Sequence, residues 1–192
     1  MNLHQSLKAQ TAQLHNEIEK DLNLLRQDFS LRDYETVLKR FYRFYISLED
    51  SLRKSNYAML LEKRSKTELL LKDLSFFGIR KNELEGTFDK VALPLNSPEE
   101  ILGAFYVLEG STLGGRVLTQ HFSSKFDFSP EGGINFFNGY GDKTGLYWKE
   151  YLEFMDKEWK EKKLNEELII SSAQKTFQVL HQWLTEKELN EQ

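Results

Sequence analysis

Apolar residues recur at intervals of three and four along most of the chain, with charged residues between them. Leu3, Leu7, Leu14, Ile18, Leu22 and Leu25 predict an amphipathic helix over roughly residues 3–25. Ser30-Leu-Arg-Asp33 forms a capping arrangement ahead of a second stripe, Tyr34, Val37, Leu38, Phe41, Tyr42, Tyr45, Leu48 and Leu52. Ser65-Lys-Thr-Glu68 reads as a capping box before a third helix carrying Leu69–Leu71, Leu74 and Phe77, with Gly78 as its stop and a weaker helical turn earlier at Tyr57–Leu61. Periodicity is lost over residues 79–96, which include Gly86 and Pro94, and returns at Ser97-Pro98-Glu99-Glu100 with cap, first-turn proline and box-closing glutamate in order.

That signal launches residues 103–121, an apolar helical pattern interrupted by Gly110, Gly114 and Gly115. Each interior glycine costs about 1 kcal/mol relative to alanine, so the cluster needs a reason. Two readings stay open on spacing alone: a tight helix crossing or helix end at Gly110, and a kink that lets backbone approach a flat ligand. The pattern runs to about Phe122 or Phe126 and breaks at Ser129-Pro130-Glu131-Gly132-Gly133. An aromatic loop, Phe136–Asp142, leads to a helix with Leu146, Trp148, Tyr151, Leu152, Met155 and Trp159. A last helix carries Leu168, Ile169, Ala173, Phe177, Leu180 and Leu184. No strand pattern, repeat or linker stands out. The expectation is an all-α, single-domain fold of about six to eight helices over residues 1–192.

Composition narrows the chemistry. The absence of cysteine removes disulfides, thiolate metal sites, iron–sulfur clusters and cysteine nucleophiles. Apolar runs such as Leu69–Leu71 are far too short to span a bilayer, and residues 1–25 resemble neither a secretory signal nor a transit peptide, so a cytoplasmic protein without membrane association is expected. A net charge of −4 without a basic aromatic patch argues against nucleic acid. The 13% aromatic content suits a large core or a cavity for a flat apolar ligand.

His15 sits on the apolar side of the first helix, with Glu19 one turn on. A carboxylate at that spacing can take a hydrogen bond from one imidazole nitrogen and leave the other free to ligate. A satisfied boundary histidine is the competing reading. His4, His121 and His181 have no organised sequence partners and read as boundary groups, Glu109 as a solvated helix residue, and Lys160–Lys163 as a wet helix face. A carboxylate-bridged di-iron site lacks its Glu-x-x-His pairs, because Met1, Ala12, Leu118 and Gln178 stand three residues before the histidines. Ser111 lacks the strand–turn–helix setting of a hydrolase elbow, and the glycines lack a Gly-Lys-Ser/Thr phosphate cradle.

Two stretches together resemble the haem oxygenase family. Leu7-Lys8 through Thr11, His15 and Glu19 is similar to its proximal helix, and Tyr106-Val-Leu-Glu-Gly110-Ser111-Thr-Leu-Gly114-Gly115-Arg116 to its distal glycine helix, in the form of the bacterial branch associated with phytochromes. Tyr140-Gly, Thr144-x-x-x-Trp148 and Ala173–Phe177 with Trp183-Leu extend the likeness over nearly the whole chain. The resemblance implies cleavage of haem, which is both substrate and cofactor, to biliverdin, carbon monoxide and ferrous iron with O2 and external electrons. It implies His15 as proximal iron ligand, Glu19 as its partner, and Gly110, Gly114 and Gly115 over the distal face. Lys8 and Thr11 would lie on the haem side, with Lys8 near a propionate, and Lys149 is the nearest match to a second propionate partner. Ser111 stands where the animal-type pattern has a distal aspartate. The implied partners are a reductase, ferredoxin or flavodoxin as electron donor and a biliverdin-accepting phytochrome, with the chain a monomer or weak dimer. A haem- or tetrapyrrole-binding protein of the same fold without turnover is the alternative.

Overall fold

The computed structural model describes residues 2–84, 93–129 and 132–185; Gly86, Pro130 and Glu131, named above as breaks, lie outside them. Seven helices of ten or more residues are present among the described residues, with no named strand: α1 (Leu3–Leu22), α2 (Leu31–Arg53), α3 (Thr67–Phe76), α4 (Pro98–Gly110), α5 (Gly115–Phe126), α6 (Thr144–Glu161) and α7 (Glu166–Thr185). Short helical turns lie at Ala58–Leu61, Lys81–Leu84, Ser111–Gly114, Asn135–Asn138 and Gly141–Lys143.

Local chemistry sets most of the starts. Asn2 and Gln5, Ser30 and Asp33, and Ser97 and Glu100 each form reciprocal capping boxes. Gly78, at φ +76°, ends α3, with the Ile79 N–H donating to the Leu74 carbonyl. The expected box at Ser65 does not form. Glu49 of α2, only 1% exposed, takes the Ser65 hydroxyl at 2.7 Å and the Lys66 and Thr67 N–H groups at 2.6 and 3.1 Å, so a buried carboxylate from a distant helix caps α3 in place of Ser65.

α4 is the central element, buried at every position from Ile101 to Glu109. It packs closely on α7, and α1 lies against α7 as well. A Cβ on Gly103 would come within 2.2 Å of the Ile169 carbonyl, so glycine sets the approach of α4 and α7. α2 and the Asn135–Asn138 turn close the other side through aromatic contacts of Tyr34, Phe41, Phe122, Phe136 and Phe137.

Candidate functional site

A cavity of about 390 Å³, mostly apolar, opens between α1, the Ser111–Gly114 turn with the start of α5, and α7. That size falls within the range of small-molecule sites. Phe41, Val107, Phe136, Phe137, Phe177 and Leu180 make most of its apolar wall, and its polar members are His15, Glu19, Lys66, Ser111 and Thr112.

On one wall, α1 presents His15 with a half-exposed side chain. Its Nδ1 lies 3.7 Å from Glu19 Oε2, and its ring meets Phe177 edge-on with centroids 6.0 Å apart. These two contacts hold the imidazole from two sides and leave Nε2 as the nitrogen free to bind.

Across the cavity the chain leaves α4 at Gly110 and passes through a 3₁₀ turn, Ser111–Gly114, into α5. The three glycines do different work. Gly115 lies under the Phe137 carbonyl, which an added Cβ would approach to 2.2 Å, while a Cβ on Gly110 would meet the Trp148 ring at 3.6 Å, an ordinary contact. Gly114 lines the cavity with nothing within 4 Å of a Cβ position, so its missing side chain leaves open space there. Ser111 Oγ donates to the Leu108 carbonyl at 2.8 Å and sits 3.2 Å from the Tyr45 hydroxyl. Thr112 Oγ1 donates to the Glu109 carbonyl at 2.7 Å. Both hydroxyl protons therefore point back at the last turn of α4. Burial raises the Tyr45 pKa, opposed by its bond to Ser111.

Behind this wall lies a buried ionic cluster. Glu109, 1% exposed and not the solvated residue its sequence context predicts, accepts from Lys66 Nζ at 2.9 Å and Tyr140 OH at 2.7 Å on one oxygen and from Arg64 at 2.5 Å on the other. Lys66, 2% exposed, also donates to the Arg64 carbonyl and to Tyr140 Oη. Burial lowers the Lys66 pKa, with Glu109 opposing, and burial raises that of Tyr140. Arg64 also donates to the Tyr147 carbonyl, 3.0 Å away, and pairs loosely with the half-exposed Glu150. The basic residue at 66 and the carboxylate at 109 carry no periodic signal of this pairing; an Arg-x-Lys in a cap region and a glutamate inside an apolar helix are the only hints.

The structure thus brings His15, Glu19, Ser111, Gly114 and Gly115 to one cavity. Lys8, Thr11, Gly110 and Lys149 are not part of its wall. Thr11 is buried with its hydroxyl bonded to the Leu7 carbonyl, and Lys149 is 74% exposed beside Glu153 at 3.7 Å. Among the other histidines, His181 does have a partner, Asp21, 2.8 Å away across α1 and α7. His4 packs on the Trp148 and Tyr106 rings, and burial lowers its pKa.

Residues 1–186 match the family model described as Heme oxygenase. No curated protein sequence matches the chain. Among solved structures it is similar to the NO- and CO-bound heme oxygenase of Neisseria meningitidis, with a TM-score of 0.76 and 22% identity over 96% of this chain and 92% of that one. It is also similar to heme oxygenase from Leptospira interrogans (0.75, 19%, 96% and 99%) and to heme oxygenase-1 of the cyanobacterium Synechocystis in complex with heme (0.71, 15%, 98% and 93%).

Proposed function

The chain belongs to the haem oxygenase family, and from that premise we propose that it binds haem between α1 and the Ser111–Gly115 segment and cleaves it at a meso carbon to biliverdin, carbon monoxide and ferrous iron, using O2 and external electrons. The observation that carries this reading is one apolar cavity with an oriented imidazole on one wall and a side-chain-free stretch at Gly114 on the other. The lining fits haem: an imidazole nitrogen of His15 to ligate iron, and aromatic and aliphatic walls for a flat macrocycle.

When bound, haem supplies the iron that activates O2 and the carbon skeleton that is oxidised. His15 would hold the iron, and Glu19 and Phe177 would fix the plane of its ring. Phe41, Phe136, Phe137 and Leu180 would exclude bulk water, and Gly114 would admit the macrocycle and a small ligand beside it. The Ser111 hydroxyl, already donating to the Leu108 carbonyl, offers a lone pair to a water at that face. Lys8 and Lys149, exposed and outside the cavity wall, are offered as propionate contacts reached from the rim.

The Gly110-Ser111-Thr-Leu-Gly-Gly115 form favours the branch associated with phytochromes, with a phytochrome as acceptor of biliverdin. A ferredoxin, flavodoxin or reductase is the proposed electron source. No described helix is long and apolar enough to cross a membrane. A cytoplasmic, one-domain monomer or weak dimer is part of the proposal.

Adding hemin to the purified protein should give a Soret complex, and reductant under air should convert it to biliverdin. His15→Ala should abolish the axial-histidine spectrum and lower turnover at least 100-fold. Haem binding without product would favour the non-catalytic alternative, and no Soret complex would reject both.

A further inference from the structure

Phe136 and Phe137, which line the cavity, sit on the four-residue helical turn Asn135–Asn138, and that turn has no side-chain cap of its own. A single turn does not hold itself together, because forming it fixes several dihedrals for very few hydrogen bonds. Its start is held from α3. Asp73, fully buried, accepts the Asn135 backbone N–H and side-chain amide on Oδ1 and the Phe136 backbone N–H on Oδ2, each at 2.8 Å. Both oxygens thus take N–H donors, the pattern of an ionised carboxylate. Tyr34 ties the same segment two residues earlier, its hydroxyl donating to the Gly133 carbonyl at 2.5 Å. Past the start of the turn, the Phe136 ring lies on Phe41 with centroids 4.8 Å apart, and the Phe137 carbonyl covers Gly115.

A carboxylate is a costly group to bury on neutral amides. The charged and titratable groups that face it are Lys72, exposed beside it on α3, and the Tyr34 phenol of α2. Burial raises the Asp73 pKa, opposed by its three hydrogen bonds and by Lys72. We propose that Asp73 is the positioning residue for the aromatic wall of the haem cavity: its carboxylate fixes the start of the Asn135–Asn138 turn, so that Phe136 and Phe137 stand against the macrocycle, and losing the charge lets the wall move and haem escape. The inference rests on the haem reading above.

The test mixes the hemin complex with an excess of a haem-scavenging apoglobin and follows haem loss by the Soret band across a pH series. Asp73→Asn should speed loss about tenfold at neutral pH, since an amide can accept on one side only and leaves a buried N–H unpaired. Asn135→Ala, which removes one donor and keeps the charge, should speed it about threefold. As pH falls toward the Asp73 ionisation, protonation takes the same acceptor from the wild type, and the ratio of variant to wild-type rates should shrink toward one. Acid weakening of the His15 contact acts on both proteins and leaves that ratio alone. A merely structural defect would hold the ratio constant with pH. That result, or unchanged haem loss in a folded Asp73→Asn protein, would overturn the proposal. Should Asp73→Asn fail to fold, Asn135→Ala decides: faster loss with a ratio that closes at acid pH supports it, and any other result overturns it. A wild-type protein that does not bind hemin would overturn the haem reading and this inference with it, whereas normal hemin binding with a flat ratio overturns the inference alone.

Discussion

Gly114 and Gly115 are neighbours with helical backbones, φ −74° and −59°, yet a methyl group would meet different surroundings at each. At Gly115 it would run into the Phe137 carbonyl, so Gly115→Ala should destabilise the fold by about 1–3 kcal/mol in urea denaturation, as overpacked sites do. At Gly114 it would meet open cavity. Gly114→Ala should leave stability unchanged or raise it by up to about 1 kcal/mol, through lower unfolded-chain entropy, while weakening hemin binding in a Soret titration. The sequence shows both glycines but not the difference, because a carbonyl from a turn 22 residues on makes the distinction. Glu109 and Lys66 escaped reading for the same reason: their partners come from the α3 cap, the loop before α6 and each other.

At the scale of elements, helix starts were legible wherever the cap is local. Ser30 and Ser97 behave as their tetrapeptides predict, whereas Ser65 does not, because Glu49 reaches its cap region from α2 with a buried carboxylate. The start of α2 gives a pH test. The Asp33 pKa is lowered, first by the Ser30 backbone N–H and further by the Ser30 hydroxyl and Arg26, with desolvation opposing. A depressed carboxylate stabilises the fold above its unfolded value, 3.8, and loses that contribution as pH falls through the lower folded value. Asp33→Asn should therefore cost about 0.5 kcal/mol at pH 7, kept small by solvent around the part-exposed group, and the two proteins should converge in stability as pH falls through the lowered folded value. Thermal melts across pH would read this.

For the whole molecule, the all-helical architecture follows from periodicity alone, but the pairing of α4 with α7 does not. Gly103 sits in an apolar run with nothing local to mark it, and only the assembled fold shows Ile169 and Ser172 pressed against it. Gly103→Ala should push α4 and α7 apart and cost about 1–3 kcal/mol. Since Val107 of α4 and Phe177 and Leu180 of α7 share the cavity wall, hemin affinity should fall with it.

The 3₁₀ turn at Ser111–Gly114 also acts as a phase shifter. A 3₁₀ turn rotates about 120° per residue against about 100° for an α-helix, and rises about 2.0 Å against 1.5 Å. Four such residues overwind the path by about 80° and lengthen it by about 2 Å. The faces of α4, buried on all sides from Ile101 to Glu109, and α5, which buries little beyond Gly115 and Phe122, are thereby set out of the register one continuous α-helix would give them. Substitutions in the turn leave that offset in place. Inserting or deleting one residue would instead turn α5 by about a third of a revolution and carry Phe122 out of its aromatic cluster.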